Sequence, residues 1–421
     1  MKICVVGLGY IGLPTAAMLA SRGHDVLGFD VSERVVSAIN AGQAHFQEPD
    51  LQMLLTAAVE TRKLRASTRP EGADYFIIAV PTPVRPGGAP DMSYVDKAAL
   101  AIAPVLTSGS TVILESTSPV GSTEALAATL ARARPDLTFP TYKGDGAGAD
   151  VAVCHCPERI LPGQMVRELV SNDRIIGGLT DACSAKALQL YKSFVMGACY
   201  LSDARAAELS KLTENAFRDV NIAFANELAM ICDRLGVDVW EVRELANRHP
   251  RVSILEPGAG VGGHCIAVDP WFIVNSAPDV AKLIRQAREV NDSKPHRVVA
   301  DVRSAVSALT NPVVACYGVT YKADVDDVRE SPALDVVQAC AGIDGCEVLV
   351  CEPNLSELPG SLAGHKNVRM VDLNEANARA DVCVFLVGHA SFKHVDPAVF
   401  DGKAVVDPIG LISRRALGRV G

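Results

Sequence analysis

Short, unbroken apolar runs recur through the first half of the chain, at residues 3–7, 25–30, 75–80, 111–115, 150–156 and 174–178. Runs without polar alternation mark strands buried on both faces. Between them, 13–22 and 94–106 carry the apolar spacing of helices. Strands alternating with helices predict parallel strands joined by right-handed crossovers, a doubly wound sheet.

From residue 203 the pattern changes. The stretch 203–236 has no proline, no glycine before its last position, an opening Asp203 and a closing Gly236. These are helix start and stop signals, and one helix of this length is on the order of 50 Å long. A second helical stretch, 239–248, stops before Pro250. A glycine-rich loop at 257–264 follows, then a further long helix at 278–309. Strand-like runs return at 312–318, 347–351, 381–387 and 404–406, with a helix at 333–341 between them. The expected division is 1–198, 199–300 and 301–421: an α/β domain, a central all-helical layer that bridges and dimerises, and a second, smaller α/β domain. Residues 143–149 read as a surface loop.

Composition narrows the function. Lys+Arg 40 against Asp+Glu 49 gives a net charge of −9, and aromatics are only 5%. That excludes nucleic-acid binding by bulk charge and base stacking. Twelve cysteines in 421 residues are too few for a disulfide scaffold. With an N-terminus that runs into a strand without a signal-peptide pattern, reduced thiols in a cytoplasmic protein are expected. No uncharged apolar run reaches the roughly 20 residues of a membrane span.

Gly7-Leu8-Gly9-Tyr10-Ile11-Gly12 is a G-x-G-x-x-G placed after a strand and at the opening of a helix. Gly7 suits the tight turn, Gly9 lets backbone approach a pyrophosphate, and Gly12 allows close helix–strand packing. Asp30, 18 residues past Gly12, closes the next apolar strand. Its carboxylate suits a ribose 2′-hydroxyl and repels a 2′-phosphate, which favours NAD over NADP. The first α/β unit is therefore expected to be a Rossmann domain. Thr82, Thr117 and Thr123 follow strands at the carboxyl edge, where hydroxyls either meet the cofactor or cap helices.

Two features suggest catalysis. Lys211, Asn215 and Arg218 are spaced i, i+4, i+7 and share one face of the long helix, while Leu209, Leu212, Val220, Phe224 and Leu228 are assigned to apolar packing. Such a stripe suits oxyanion binding and proton transfer, or is simply a solvated charged face. The second feature is the loop 258–270, where four glycines precede His264 and Cys265, with Asp269 four residues beyond the cysteine. A thiolate there is a candidate acyl-forming nucleophile, against the plainer reading of a small buried cysteine. Neither His264-Cys265 nor Cys154-His155-Cys156 has the spacing of a metal site, so none is assigned. His249 and Arg251, Tyr321-Lys322 and Arg329 are local cations and donors suited to a diphosphate, or else surface ion-pair partners.

On these residues the chain resembles the nucleotide-sugar 6-dehydrogenases, which oxidise a nucleotide hexose to its uronate with two NAD⁺. The blocks that carry the resemblance are 115–123 (ESTSPVGST), 156–164 (CPERILPGQ), 211–228 (KLTENAFRDVNIAFANEL), 247–274 (NRHPRVSILEPGAGVGGHCIAVDPWFIV) and 329–333 (RESPA). It extends nearly end to end and implies an NAD domain, a central dimerisation domain and a C-terminal Rossmann-like UDP-binding domain. The blocks 156–164 and 247–251 are similar to the branch acting on N-acetylated sugars, so a UDP-N-acetylhexosamine substrate, a homodimer and a role in surface polysaccharide synthesis are implied.

The resemblance also implies roles. Cys265 would be the nucleophile and Lys211 the proton donor and acceptor, with Asn215 and Asp269 supporting oxyanion and water and Glu158 at the reacting end. Substrate contacts would be Arg159, Ile160, Lys211, Asn215, Arg218, His249, Arg251, Gly262, Tyr321 and Lys322. Cofactor contacts would be Gly7, Gly9, Tyr10, Ile11, Gly12, Asp30, Thr82, Thr117, Thr123 and Arg329. One departure stands out: relatives often carry a lysine after the last strand, where this chain has Asp407-Pro408-Ile409-Gly410. Related β-hydroxyacid dehydrogenases share the first two parts but need neither the glycine-cysteine loop nor a third domain. A catalytically silent nucleotide-binding scaffold would bind NAD without turnover.

Overall fold

In the computed structural model the described residues are all but 86, 145–147, 162, 264 and 413–421. His264 and part of the expected 143–149 loop therefore lie outside the described residues. The chain gathers into two compact units, Met1–Glu214 with Trp271–Ala277, and Asn215–Pro270 with Pro278–Gly421.

In the first unit the strands are β1 (Lys2–Val6), β2 (Asp25–Phe29), β3 (Leu64–Ser67), β4 (Tyr75–Ile78), β5 (Thr111–Leu114), β6 (Ala152–His155), β7 (Arg174–Gly178) and β8 (Cys199–Asp203). Its helices are α1 (Gly12–Ser21), α2 (Glu33–Asn40), α3 (Leu51–Glu60), α4 (Ser93–Ile102), α5 (Ser122–Ala133), α6 (Met165–Ser171) and α7 (Asp181–Tyr191). The sheet order is β3-β2-β1-β4-β5-β6-β7-β8, and its first six positions repeat the 3-2-1-4-5-6 order of a dinucleotide-binding sheet. Side chains of β1 alternate between two cores. Ile3 and Val5 pack with Leu13, Ala17 and Leu55 on one face, while Cys4 and Val6 pack with Val95, Ile102 and Leu126 on the other.

Two expectations need correction. The sheet is not wholly parallel: β7 runs antiparallel to β6 with Cys154 opposite Gly178, and β8 then runs parallel to β7. An antiparallel neighbour needs no full crossover, and only the short α6 separates β6 from β7. The edge strands β3 and β8 escape the apolar-run reading because β3 is buried only at Leu64 and Ala66 and β8 has no buried position.

The long helix is α8 (Ala204–Leu235), followed by α9 (Val239–Ala246), α10 (Asp269–Ser276) and α11 (Lys282–Val306). The sequence showed no sign of α10, and α11 is shorter than the expected 278–309 while absorbing a buried Pro295. The packing assigned to α8 is also corrected. Of the five large apolar residues expected to pack, only Leu212 is buried, and Leu209 and Phe224 are exposed. The buried stripe is instead made of small residues (Ala207, Ala216, Ala223, Ala229) interleaved with Glu208, Asp219 and Asn226.

The second unit holds β9 (Val313–Tyr317), α12 (Pro332–Ala341), β10 (Glu347–Cys351), β11 (Val368–Met370), α13 (Leu373–Arg379), β12 (Val382–Phe385) and β13 (Ala404–Val406). Its all-parallel sheet has the order β11-β10-β9-β12-β13, the same 3-2-1-4-5 winding in miniature. In both sheets the strand order reverses beside the first strand, which opens a crevice at the carboxyl edge.

The turn after β1 shows why two of its glycines differ. A Cβ on Gly12 would lie 1.8 Å from the Gly7 carbonyl oxygen, whereas one on Gly9 would meet nothing within 4 Å. Gly12→Ala should therefore lower unfolding free energy by about 1–3 kcal/mol through overpacking, measured by urea unfolding. Gly9→Ala should leave that stability unchanged, and equal losses in the two variants would contradict this assignment.

Candidate active site

The N-terminus of α1 has no side-chain cap and no acidic residue in its first turn. A Cβ on Gly9, just before it, would meet nothing within 4 Å, and a free helix N-terminus beside open space suits an anion. Asp30 sits at the tip of β2, where its Oδ2 accepts the Leu8 N–H at 2.9 Å and its Oδ1 accepts the Ser32 N–H at 2.9 Å. The glycine turn and the ribose-reading carboxylate are thus fixed to one another. Tyr10 stacks on Phe46 with ring centroids 4.3 Å apart, and Ile11 is the half-buried residue preceding α1. An uncapped helix end, open space over Gly9 and a carboxylate at the second strand fit the adenosine diphosphate part of NAD.

The three threonines separate. Thr82 donates its hydroxyl to the Thr117 carbonyl at 2.7 Å, which joins the loops after β4 and β5 at the switch-point edge. Thr123 is fully buried, and its hydroxyl donates to Glu208 Oε1 at 2.6 Å. Glu208 also accepts the Gly121 N–H (2.6 Å) and the Thr123 N–H (2.8 Å). Its carboxylate caps α5, so the expected cofactor contact at Thr123 is corrected to a structural one, and Glu208 is a residue that sequence reasoning missed.

Beneath the block 156–164 lies a buried cluster. Glu158 pairs with Arg174, both nearly inaccessible, and Glu158 Oε1 accepts the Arg159 N–H at 2.6 Å. The Arg159 side chain pairs with Glu214 at 3.0 Å and donates to the Asp173 carbonyl, so its guanidinium is held within its own unit. Ile160 packs against the first core. Behind the pair, Glu115 is buried, with Tyr191 OH 3.4 Å from its Oε1. Burial first, and the Glu158 charge second, push the Glu115 carboxyl far above the usual carboxylate range despite Arg174. His155, on β6, is held neutral by burial, its pKa driven down to about 3 with a smaller push from Lys211. Neither Glu115 nor Arg174 was singled out from sequence, although Glu115 opens a quoted block.

In the second unit two expected catalytic residues meet: Asn215 Nδ2 donates to Asp269 Oδ2. The Cys265 carbonyl accepts the Asp269 N–H at 2.8 Å and the Val268 N–H at 3.1 Å, which sets the half-buried cysteine one turn before α10. Asp269, buried in the first turn of that helix, lies at its favourable positive end. The preceding glycines answer to packing rather than to open space. A Cβ on Gly262 would meet the Glu330 carbonyl oxygen at 2.4 Å, and one on Gly263 would meet the Tyr321 ring at 2.9 Å. Asn226 Oδ1 accepts the Gly258 N–H at 2.8 Å, and its amide continues to Asn291, which donates to Asp219 beside Arg288. All four of these polar side chains are buried, so the loop is moored from below.

At the switch point of the smaller sheet is an open cleft of about 190 Å³, walled by Gly258–Gly260, Thr320–Ala323 and Leu386–Gly388. Tyr321 and Lys322 line it, with Lys322 Nζ 5.7 Å from the Tyr321 ring centroid. Ile409, the departure noted in sequence, lines it too, so an apolar side chain stands there. Arg218, His249 and Arg251 are exposed, with His249 Nδ1 accepting the Arg251 N–H at 3.3 Å. Arg329 is paired with Asp327 at 2.6 Å.

Comparison with known proteins decides what this arrangement belongs to. Residues 1–195 match the NAD binding domain of the UDP-glucose/GDP-mannose dehydrogenase family, 205–293 its central domain and 315–412 its UDP binding domain. The chain belongs to the UDP-glucose/GDP-mannose dehydrogenase family. It is an NAD-dependent nucleotide-sugar dehydrogenase with the family's three-domain architecture. An NDP-N-acetyl-D-galactosaminuronic acid dehydrogenase of Ralstonia nicotianae is 55% identical over 99% of this chain and 97% of its own. A UDP-N-acetyl-D-mannosamine dehydrogenase of Escherichia coli K12 is 54% identical over 97% of this chain and 98% of its own. Among solved structures, a UDP-D-ManNAc dehydrogenase from Pyrococcus horikoshii has TM-score 0.86 at 38% identity, covering 98% of this chain and 96% of that one. No helix among the described residues is long and apolar enough to cross a membrane.

The Glu115 environment has a measurable consequence. With its folded pKa raised, the native state keeps a proton that the unfolded carboxyl loses above its ordinary range, so this group subtracts stability as pH rises. Glu115→Gln should therefore gain on the wild type in urea unfolding as pH is raised from about 5 to about 8. A difference that stays flat over that window would contradict the buried-acid assignment.

Proposed function

We propose that the chain oxidises UDP-N-acetyl-D-mannosamine at the sugar 6-position to UDP-N-acetyl-D-mannosaminuronate, a four-electron reaction through a covalent bond to Cys265. The observation that carries the reading is the meeting of Asn215 with Asp269 one turn after Cys265. The sugar follows the N-acetylmannosamine relatives and the blocks 156–164 and 247–251.

NAD⁺, held by the Gly7–Gly12 turn, Asp30 and the Thr82–Thr117 edge, would supply the hydride acceptor for each of the two oxidations. The proton of the 6-hydroxyl passes to Lys211 as its carbon becomes an aldehyde. The Cys265 thiolate adds to that carbon, and the resulting alkoxide is stabilised by Lys211 and the Asn215 amide. Loss of a second hydride leaves a thioester. Water attacks its carbonyl, the C–S bond breaks to return the Cys265 thiolate, and Asp269 or Lys211 takes the proton from water. Glu158, fixed by Arg174, lines the reacting end. Tyr321 and Lys322 face the diphosphate and nucleoside from the cleft of the smaller sheet.

Covalent capture keeps the aldehyde from escaping between oxidations. It also requires a reduced thiol, consistent with the absence of disulfides among the twelve cysteines and with a cytoplasmic location. A homodimer through α8 is supported by its outward residues: Phe217, Phe224, Ile231 and Leu235 are exposed at near-heptad spacing on the second unit. The three-part division at 1–198, 199–300 and 301–421 belongs to the same reading.

Two NADH should form per nucleotide sugar, measured at 340 nm with limiting substrate. One NADH with aldehyde product would sink the covalent scheme. Cys265→Ser should cut full turnover by at least about a hundredfold while a first hydride transfer persists. A side-by-side assay should favour UDP-N-acetylmannosamine over UDP-N-acetylglucosamine, UDP-glucose and UDP-N-acetylgalactosamine. Preference for the last would place the chain with its galactosaminuronic relatives, and NAD binding without turnover on any of them would support a silent scaffold. Light scattering should give a dimer mass, with Phe224→Glu shifting it toward the monomer.

A further inference from the structure

His389 and Glu352, which no part of the mechanism uses, lie at the carboxyl edge of the smaller sheet. Both are buried, and His389 directly follows Gly388 of the cleft wall. Glu352 follows β10 and collects donors. Its Oε2 accepts the Val319 N–H at 2.8 Å and lies 3.0 Å from His389 Nε2, and its Oε1 accepts the Asn354 N–H at 2.9 Å. Although burial works against ionisation, those donors hold the carboxyl below its usual range.

The other ring nitrogen faces the loop. His389 Nδ1 accepts the Asp324 N–H at 3.0 Å and lies 2.9 Å from the Asn354 amide nitrogen. The ring thus bridges Glu352 on one side and the Asp324 backbone on the other. Asp324 returns the contact, since its Oδ1 accepts the Ala390 N–H at 2.9 Å, and its backbone is held at φ 59°. Thr320, whose hydroxyl donates to the Lys322 carbonyl at 2.8 Å, completes the connection.

Residues 319–324 are therefore gripped at both ends, Val319 by Glu352 and Asp324 by His389 and Ala390. Between the grips stand Tyr321 and Lys322, the side chains offered to the cleft. We propose that His389 and Glu352 are positioning residues that preset the Tyr321–Lys322 loop for the uridine diphosphate moiety. This rests on the nucleotide-sugar reading of the cleft. Without the grip, loop ordering would be charged against binding of the nucleotide, while hydride transfer and NAD binding draw on other elements.

The test is titration calorimetry of the full-length protein with UDP, and separately with NAD⁺, alongside steady-state kinetics. His389→Ala and Glu352→Gln should each raise the Kd for UDP and the KM for the sugar nucleotide at least about tenfold, with NAD⁺ affinity and kcat within about twofold of wild type. Glu352→Gln keeps shape but turns an amide donor toward other donors. Because these variants alter a buried cluster, exposed Asp324 gives a second pair. Asp324→Ala should weaken UDP binding, and Asp324→Asn, which retains the acceptor and tolerates positive φ, should restore it. Unchanged UDP affinity in His389→Ala and Asp324→Ala, or equal losses for UDP and NAD⁺, would overturn the positioning role. A wild-type protein that fails to bind UDP would instead overturn the reading of the cleft on which it rests.

Discussion

Where a parallel strand ends and its loop turns away, backbone N–H groups lose their ladder partners, and this protein meets many of them with carboxylates. Asp30 takes the N–H groups of Leu8 and Ser32, Glu208 those of Gly121 and Thr123, and Glu352 those of Val319 and Asn354. Asp30 and Glu352 follow strands at the carboxyl edge of their sheets, the edge where ligands bind, and Glu208 reaches the start of α5 from α8. A loop fixed in this way presents its remaining groups in one geometry, and a buried carboxylate deprived of its donors would be left uncompensated, so the arrangement is hard to displace. Ligand-facing loops on both sheets depend on this one device.

The glycine-cysteine loop follows a different route to the same end. Its glycines admit Tyr321 and the Glu330–Pro332 segment at distances that any Cβ would block, while Asn226 moors it from the α8 side. Cys265 then emerges one turn before α10, with Asp269 fixed by its own N–H and by Asn215. Close packing on one side and a buried amide relay on the other leave the thiol half-buried on a backbone with little room to shift. Such a fixed backbone would suit the nucleophile role proposed for Cys265.

Much of this was legible in the chain, for identifiable reasons. Central strands are unbroken apolar runs, so β1, β2, β4, β5, β9, β10 and β12 stood out, and glycines at fixed offsets marked the cofactor turn. Edge strands β3, β8 and β11 did not, because each is short or poorly buried, although the edge strand β13 was readable as the apolar run 404–406. Helix α8 is readable by length and caps, but not by orientation, because the size of an apolar side chain does not say which way it faces: alanines line the buried stripe and Phe217 and Phe224 face out. Catalytic candidates were visible as spacing, Lys211 to Asn215 and Cys265 to Asp269. Their supports were not, since Glu208, Arg174 and His389 act on partners 85, 16 and 37 positions away.

The negative net charge takes on meaning in that light. A protein that binds two diphosphate-bearing molecules would be expected to surround them with cations, yet this chain carries an acidic excess. The acids nearest the site are turned inward, where Glu158, Glu208, Asp219 and Glu352 are buried. Glu158 is matched to Arg174, Asp219 to Arg288, Glu208 to backbone donors, and Glu352 to backbone donors and His389. A carboxylate saturated by donors projects little field into the adjoining cleft, because its charge is balanced at contact distance by oriented N–H dipoles. On the reading proposed above, anion binding would rely on uncapped backbone at α1 and on a few side chains such as Lys322. Bulk charge attracts all polyanions, whereas oriented donors at fixed loops select by shape.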